Sequence, residues 1–355
     1  MNPVERVIRR VDAAQQRFTP AAFVVGVVKK YGDDNGGVLA AALAHSAFVA
    51  LFPLLLILAT VLGLTASLDP AFRDQVLQAV ANQFPVIGNQ LTGNVHVLRR
   101  SSIIGLIIGF AGLLWGATGL AQAGLFTMAQ VWNLPGPARP GYVPRLGRAF
   151  IFLGLLGGGV LLTTGLAALN TYGHKAAYWT ALAELAAAAG NVALYLAAFR
   201  VLTPKGVPTG RLVPGALAGG VSYTLLQILG TFLVHHFLHS DSVYAAFGTV
   251  LGLVAWIYLV VEVTVYAAEL NVVLTRRLWP RSIVQPPLTE ADRASLALQA
   301  LQNQRREEQR VEVTFNDRAA GPEGPHAAPE TPDQVAPPAP EPPGGGPRAA
   351  DPAGR

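Results

Sequence analysis

Residues Val38–Leu68 read VLAAALAHSAFVALFPLLLILATVLGLTASL, with no Asp, Glu, Lys or Arg. A helix needs about 20 mainly apolar residues to cross the hydrocarbon core of a bilayer, and this stretch exceeds that length. A transmembrane β-strand would show about ten residues of alternating polarity, whereas here the apolar run is unbroken. Five more stretches share the pattern: 103–131, 149–169, 178–202, 212–238 and 247–274. The reading is therefore an all-α polytopic membrane protein, a bundle of six transmembrane helices.

Composition agrees. The chain has 355 residues, 13% of them charged, against about a quarter in soluble domains. Of the 47 Asp, Glu, Lys and Arg residues, ten lie in 1–36 and 21 in 276–355, leaving 16 for the 239 residues between. A water-facing surface of that size cannot be made from so few charges. The absence of cysteine excludes disulfides, thiolate metal sites and a cysteine nucleophile. The net charge of +5 reports topology rather than nucleic acid. With the N-terminus inside, the inner segments hold Arg6, Arg9, Arg10, Arg17, Lys29, Lys30, Arg139, Arg145, Arg148, Arg200, Lys205, Arg211, Arg276, Arg277 and Arg281. The outer segments hold only Arg73, Arg99, Arg100 and Lys175. Positive charge favours the cytoplasmic side, so both termini are expected to be cytoplasmic.

Around the span domain, 37–275, the flanks differ in kind. Residues 1–36 form a basic amphipathic segment: Val4, Val7, Ile8, Val11 and Phe18 recur at helical spacing among arginines, which fits either a helix on the inner leaflet or a cytoplasmic cap. In the outer segment, Phe72, Val76, Val80 and Phe84 predict a short interfacial helix. In 276–317, Thr289-Glu290-Ala291-Asp292 resembles a capping box opening a helix to about Arg310. Residues 318–355, with eleven prolines and no aromatic residue, read as a disordered tail.

Ionisable groups within spans are costly unless partnered or wet, and they mark the candidate site. Tyr258, Glu262, Tyr266 and Glu269 share one helical face. Glu184 and Asn191 share another, and His45 interrupts the first span. A polar intramembrane cavity around Glu262, Tyr258 and Glu269, faced by Glu184, Asn191 and His45, is the expectation. Pro53 is the helix-kink candidate. Spacings such as Gly112/Gly116 and Gly215/Gly219 read as helix-packing contacts. His235, His236 and His239 form a small cluster at the end of the fifth span, read as an interfacial polar group; no metal or cofactor is expected. No HExxH, GxSxG or Walker motif occurs, so no enzymatic activity is expected.

Several ordered motifs carry a family resemblance. They are Ala40-Ala41-Ala42-Leu43-Ala44 with Leu51-Phe52-Pro53-Leu54-Leu55, Leu114-Trp115-Gly116-Ala117, Val213-Pro214-Gly215-Ala216-Leu217, and Tyr244, Phe247-Gly248, Trp256-Ile257-Tyr258 and Ala268-Glu269-Leu270-Asn271. Together, over about residues 20–280, they resemble the YihY/BrkB family of bacterial inner-membrane proteins, some of which carry a "ribonuclease BN-like" label. His45, Ser46 and Ala267 depart from the family pattern. The resemblance implies a transporter-like protein of the bacterial cytoplasmic membrane. It would be a transporter, an exporter or a lipid-handling protein acting on a small molecule or lipid. Ribonuclease activity is not expected, because no folded domain large enough for it stands outside the membrane. The alternative is a non-transporting scaffold for an envelope complex.

Overall fold

The computed structural model describes residues 3–65, 103–139, 141–172, 177–203, 206–237 and 243–315. Among them the regular structure is helical, without a strand. Nine α-helices follow in order: α1 Pro3–Arg17, α2 Thr19–Asp33, α3 Gly36–Thr65, α4 Ile103–Val131, α5 Tyr142–Tyr172, α6 Ala177–Leu202, α7 Val213–Phe237, α8 Val243–Arg276 and α9 Glu290–Gln302. The long ones, α3 to α8, measure about 37 to 51 Å at 1.5 Å per residue. Each exceeds a hydrocarbon core of about 30 Å.

Four of these helices carry a stretch long and apolar enough to cross a membrane: Gly36–Pro53, Leu185–Leu202, Val213–Gly230 and Val250–Arg276. The described residues thus give four such spans rather than the six expected. The stretches read as the second and third spans are helical, as α4 and α5, and α5 begins at Tyr142, seven residues before the expected start. The expected interfacial helix in 69–102 and the tail from 318 lie outside the described residues.

The bundle is apolar on its outside as well as within. Leu39, Leu43, Leu125, Met128, Phe199, Ile257 and Val265 are among its buried core. Trp115, Ile107, Leu185, Leu225 and Ile228 point outward with more than half of each side chain exposed. Apolar side chains on both faces of a helix suit lipid surroundings, not water.

Glycines set the close approaches. On α4, a Cβ at Gly116 would come within 2.9 Å of the Ala50 Cα on α3, and one at Gly112 within 3.2 Å of the Pro53 ring. On α7, a Cβ at Gly215 would collide with the Ala267 carbonyl of α8. Gly154 and Gly158 of α5, which share the same spacing, have no described atom within 4 Å of such a Cβ, so they make no close approach among the described residues. Pro53 lies inside α3, which continues through it to Thr65.

One end of the bundle wears a polar collar built from α1, α2, the 277–289 segment and α9. The helices entering it are ended by residues with positive φ. Asn133 (φ 47°) follows α4, with the Asn133 N–H bonded to Gln130 O and the Leu134 N–H to Ala129 O. That pattern is a Schellman motif with Asn where Gly is commonest. Arg277 (φ 53°) ends α8, and the Leu278 N–H bonds to Val273 O. The capping box at α9 is present: Thr289 Oγ1 accepts from the Asp292 N–H at 3.1 Å, and Asp292 Oδ2 accepts from the Thr289 N–H at 3.1 Å. α9 stops at Gln302 rather than near Arg310. The chain turns there so that Gln304 O can accept the Gly136 N–H at 2.8 Å.

Candidate functional site

The site starts from the run Lys29-Lys30-Tyr31-Gly32-Asp33-Asp34-Asn35, where α2 ends and α3 begins. Lys30 and Asp34 are four apart, so they share a helix face. That face lies against α8. Lys30 Nζ binds Asp34 Oδ2, donates to Val131 O at 3.1 Å, and approaches Glu269 Oε2 to 3.4 Å. The side chains of Lys30, Asp34 and Glu269 are 0%, 2% and 0% exposed. Asp34 Oδ1 accepts from Asn133 Nδ2 at 3.0 Å, which is why the end of α4 is tied to the same cluster.

Two carboxylates therefore share one ammonium in a water-excluded place. Glu269 Oε1 is buried and has no hydrogen-bond partner. A buried charge without compensation is expensive, so the triad becomes neutral only by taking up one more proton or cation.

Next along the same face of α8, the Tyr31 hydroxyl donates to Glu262 Oε1 at 3.3 Å, and its ring stacks on Tyr266 at 3.9 Å. Burial, and then the Glu262 carboxylate, push the Tyr31 phenol above its usual range, so it remains a donor. A Cβ placed on Gly37 would lie 3.8 Å from the Tyr31 hydroxyl and 3.9 Å from that of Tyr258. Glu262, Tyr258, Tyr266 and Glu269 thus occupy one face, and α2 covers it.

Asn191 belongs to a different polar group. It is buried between α6 and α7, where Nδ2 donates to Thr224 Oγ1 at 3.0 Å and to Gln227 Oε1 at 3.3 Å. One turn further along, the Tyr195 hydroxyl pairs with Thr264 Oγ1 of α8 at 3.0 Å. His45 is exposed, on the outward stripe of α3 with Val38, Ala41 and Ala42. It does not face the glutamates as expected, because the buried stripe of α3 is formed by Leu39, Ala40, Leu43 and Ala44 instead. The side chain of Glu184 lies outside the described residues, as do those of His235, His236 and His239.

Beneath the triad on the collar side, a cavity of about 570 Å³ is lined by Asp33, Asp34, Asn35, Gln130, Gly136, Arg139, Gln299, Gln302, Asn303, Gln304 and Arg305. Asp34 is common to both, lining the cavity and binding Lys30. The α9 wall is locked to α2 through Arg281, which is buried, binds Asp33, and donates from Nε to Asp292 Oδ1 at 2.8 Å. Lys30, Tyr31, Asp34, Asn133 and Arg281 were not among the residues expected from sequence. The i, i+4 pair Lys30/Asp34, set directly against a charge-free span, was the available signal for two of them.

Motifs that are far apart in sequence meet in space. The Asn271 Oδ1 accepts the Gly215 N–H at 2.7 Å, so the last-span motif caps the first turn of α7, whose N–H groups lack helical partners. The first-span Ala50 and Pro53 lie against Gly116 and Gly112. No curated protein and no solved structure matches the chain. The family model described as Virulence factor BrkB matches residues 27–289, a range that starts within α2 and ends at the cap of α9. With apolar helices of spanning length and a family match over most of its residues, the chain is an integral membrane protein belonging to the Virulence factor BrkB family.

Proposed function

We propose that this protein is a six-span transporter of the bacterial cytoplasmic membrane, with α3 to α8 as its spans and both termini cytoplasmic. It carries a polar small molecule or lipid headgroup through a path that the Lys30–Asp34–Glu269 triad closes. The observation that carries the reading is the continuity of polar groups. The collar cavity ends on Asp34, Asp34 holds Lys30, Lys30 approaches Glu269, and Glu262 and Tyr258 follow on the same face of α8, with Tyr31 of α2 bonded to Glu262. Polar and ionisable groups at membrane depth are retained where they serve a path. Six long helices and the placement of arginines in the collar segments support the topology. No enzymatic role is proposed.

The exchange of Lys30 between two carboxylates supplies the gate. Protonation of Glu269 leaves the ammonium to Asp34 and loosens the α2–α8 contact, which connects cavity and track. The experiment is lipid and metabolite profiling of a deletion strain complemented with wild type or Glu262→Gln, both verified in the membrane at equal level. Wild type restores the profile and Glu262→Gln does not. A deletion that changes no lipid or metabolite, or equal restoration by both forms, overturns transport in favour of a scaffold.

A further inference from the structure

α1 is amphipathic in the opposite sense to a helix capping a soluble surface, which would turn its apolar face inward. Its buried side chains are polar: Asp12 is 6% and Gln15 8% exposed. Asp12 accepts from Ser282 Oγ at 2.9 Å and from the Ile283 N–H at 2.9 Å, while Gln15 Nε2 donates to Arg281 O at 2.8 Å. Its large apolar side chains face away from the protein. Val4 is 62%, Val7 60% and Val11 56% exposed, and Phe18, just beyond the helix, 63%. At 3.6 residues per turn, Val4, Val7 and Val11 share a sector of about 60°. Arg6, Arg10 and Arg17, all exposed, share the adjoining sector of about 40°.

The charge on this surface has one sign. Both acids of α1 are used elsewhere: Glu5 by Arg9 at 2.9 Å, Asp12 by the 282–284 segment. Three arginines beside an apolar ridge are complementary to an anionic phospholipid surface, where such helices lie with their apolar side in the acyl boundary. α1 is also within reach of one, since it leads into α2, and α2 packs along the membrane-spanning α8.

We propose that α1 lies in the plane of the membrane interface, with Val4, Val7, Val11 and Phe18 in the acyl boundary and Arg6, Arg10 and Arg17 on anionic phospholipid headgroups. α1 precedes the residues that match the family, and the proposal rests on the membrane-spanning helices alone, not on transport. Because Asp12 holds the segment following Arg281, and Arg281 holds the α9 wall of the cavity, the anchored helix and the cavity form one connected piece.

The absence of cysteine makes the native chain a ready background for single-cysteine labels. Full-length protein carrying a fluorophore at Val7→Cys, Ala13→Cys or Leu225→Cys is placed in nanodiscs of phosphatidylcholine, with or without phosphatidylglycerol, and quenched by nitroxide lipid or aqueous iodide. Ala13 is exposed off the apolar sector, and Leu225 lies on the outer face of α7. Lipid quenching is expected at Leu225 and Val7 and not at Ala13. Each of Arg6→Gln and Arg10→Gln is expected to lower insertion at Val7 about fivefold when phosphatidylglycerol is present. Iodide quenching at Val7 equal to that at Ala13 overturns the proposal, as does protection of Val7 from both quenchers, which means a protein covers the face. Lack of lipid quenching at Leu225 overturns the membrane reading beneath it.

Discussion

Lys30 Nζ stands 3.4 Å from Glu269 Oε2 with both side chains fully buried, joining α2 to the last long helix by a charge pair that water does not reach. Removing the ammonium leaves two carboxylates without compensation. Lys30→Met is expected to destabilise by about 3 to 5 kcal/mol. Adding Glu269→Gln to that variant recovers part of the loss, with a coupling of about 1 to 3 kcal/mol. Thermal unfolding of the four members of this double-mutant cycle in detergent measures it. Strict additivity would mean that the pair makes no energetic contact.

The α7–α8 crossing depends on the absence of a side chain at Gly215. A methyl group there meets the Ala267 carbonyl and the Asn271 side chain, and backbone cannot yield as a flexible side chain can. Gly215→Ala is expected to lower stability by about 1 to 3 kcal/mol. Gly154→Ala, at a site with no described atom within 4 Å, is expected to be neutral or slightly stabilising. Melting curves of the two variants make the comparison.

The contact of α1 with the collar is sensitive to acid. Burial pushes the Asp12 carboxyl up, but bonds from the Ile283 N–H, Gln15, Gln16 and Ser282 outweigh it and hold the group at about 2, against an ordinary 3.8. A carboxylate lowered on folding stabilises fully above its ordinary value, and that contribution is lost as pH falls toward the lowered one. The hydrogen-exchange protection of α1, taken relative to the intrinsic rate at each pH, should therefore be constant above pH 3.8 and fall between 3.8 and about 2. Asp12→Asn should abolish that step and leave α1 exchanging faster at neutral pH.

Asp292 serves the α9 cap and the Arg281 lock together, whereas Thr289 serves the cap. Thr289→Ala is expected to cost about 1 kcal/mol. Asp292→Ala, which also leaves buried Arg281 short of a carboxylate, is expected to cost about 3 kcal/mol or more. Limited proteolysis after Gln302 reports α9 undocking in each.

Much of the long-helix pattern was legible because lipid imposes it. The charge-free run 103–131 is the whole of α4, and 178–202 differs from α6 by one residue. The polar face of α8 was legible too, since Tyr258, Glu262, Tyr266 and Glu269 repeat with the helix, and Glu262, Tyr266 and Glu269 meet α2. What covers that face was not. Periodicity states which residues point the same way, not which element they point at. In the sequence Lys30 is one more basic residue of an inner segment, and only the fold brings it beside a residue 239 positions away. His45 shows the converse: a lone polar residue in an apolar run gives no phase, and it lies outward. The capping box at Thr289 was readable because it is local, while the Arg281–Asp33 contact that makes the same helix a cavity wall is not.

The central claim is that the triad separates the collar cavity from the polar track on α8. Gly37 lies on the track side, beside Tyr31 and Tyr258, with room for a side chain, and Arg305 lines the cavity. In inside-out vesicles, a membrane-impermeant maleimide is predicted to label Arg305→Cys rapidly and Gly37→Cys slowly. Glu269→Gln keeps the shape of the side chain but weakens its hold on Lys30. It is predicted to accelerate labelling of Gly37→Cys at least about tenfold, as a weakening of about 1.4 kcal/mol gives, with Arg305→Cys unchanged. An unaltered rate at Gly37→Cys would contradict the gate and leave the triad as static packing.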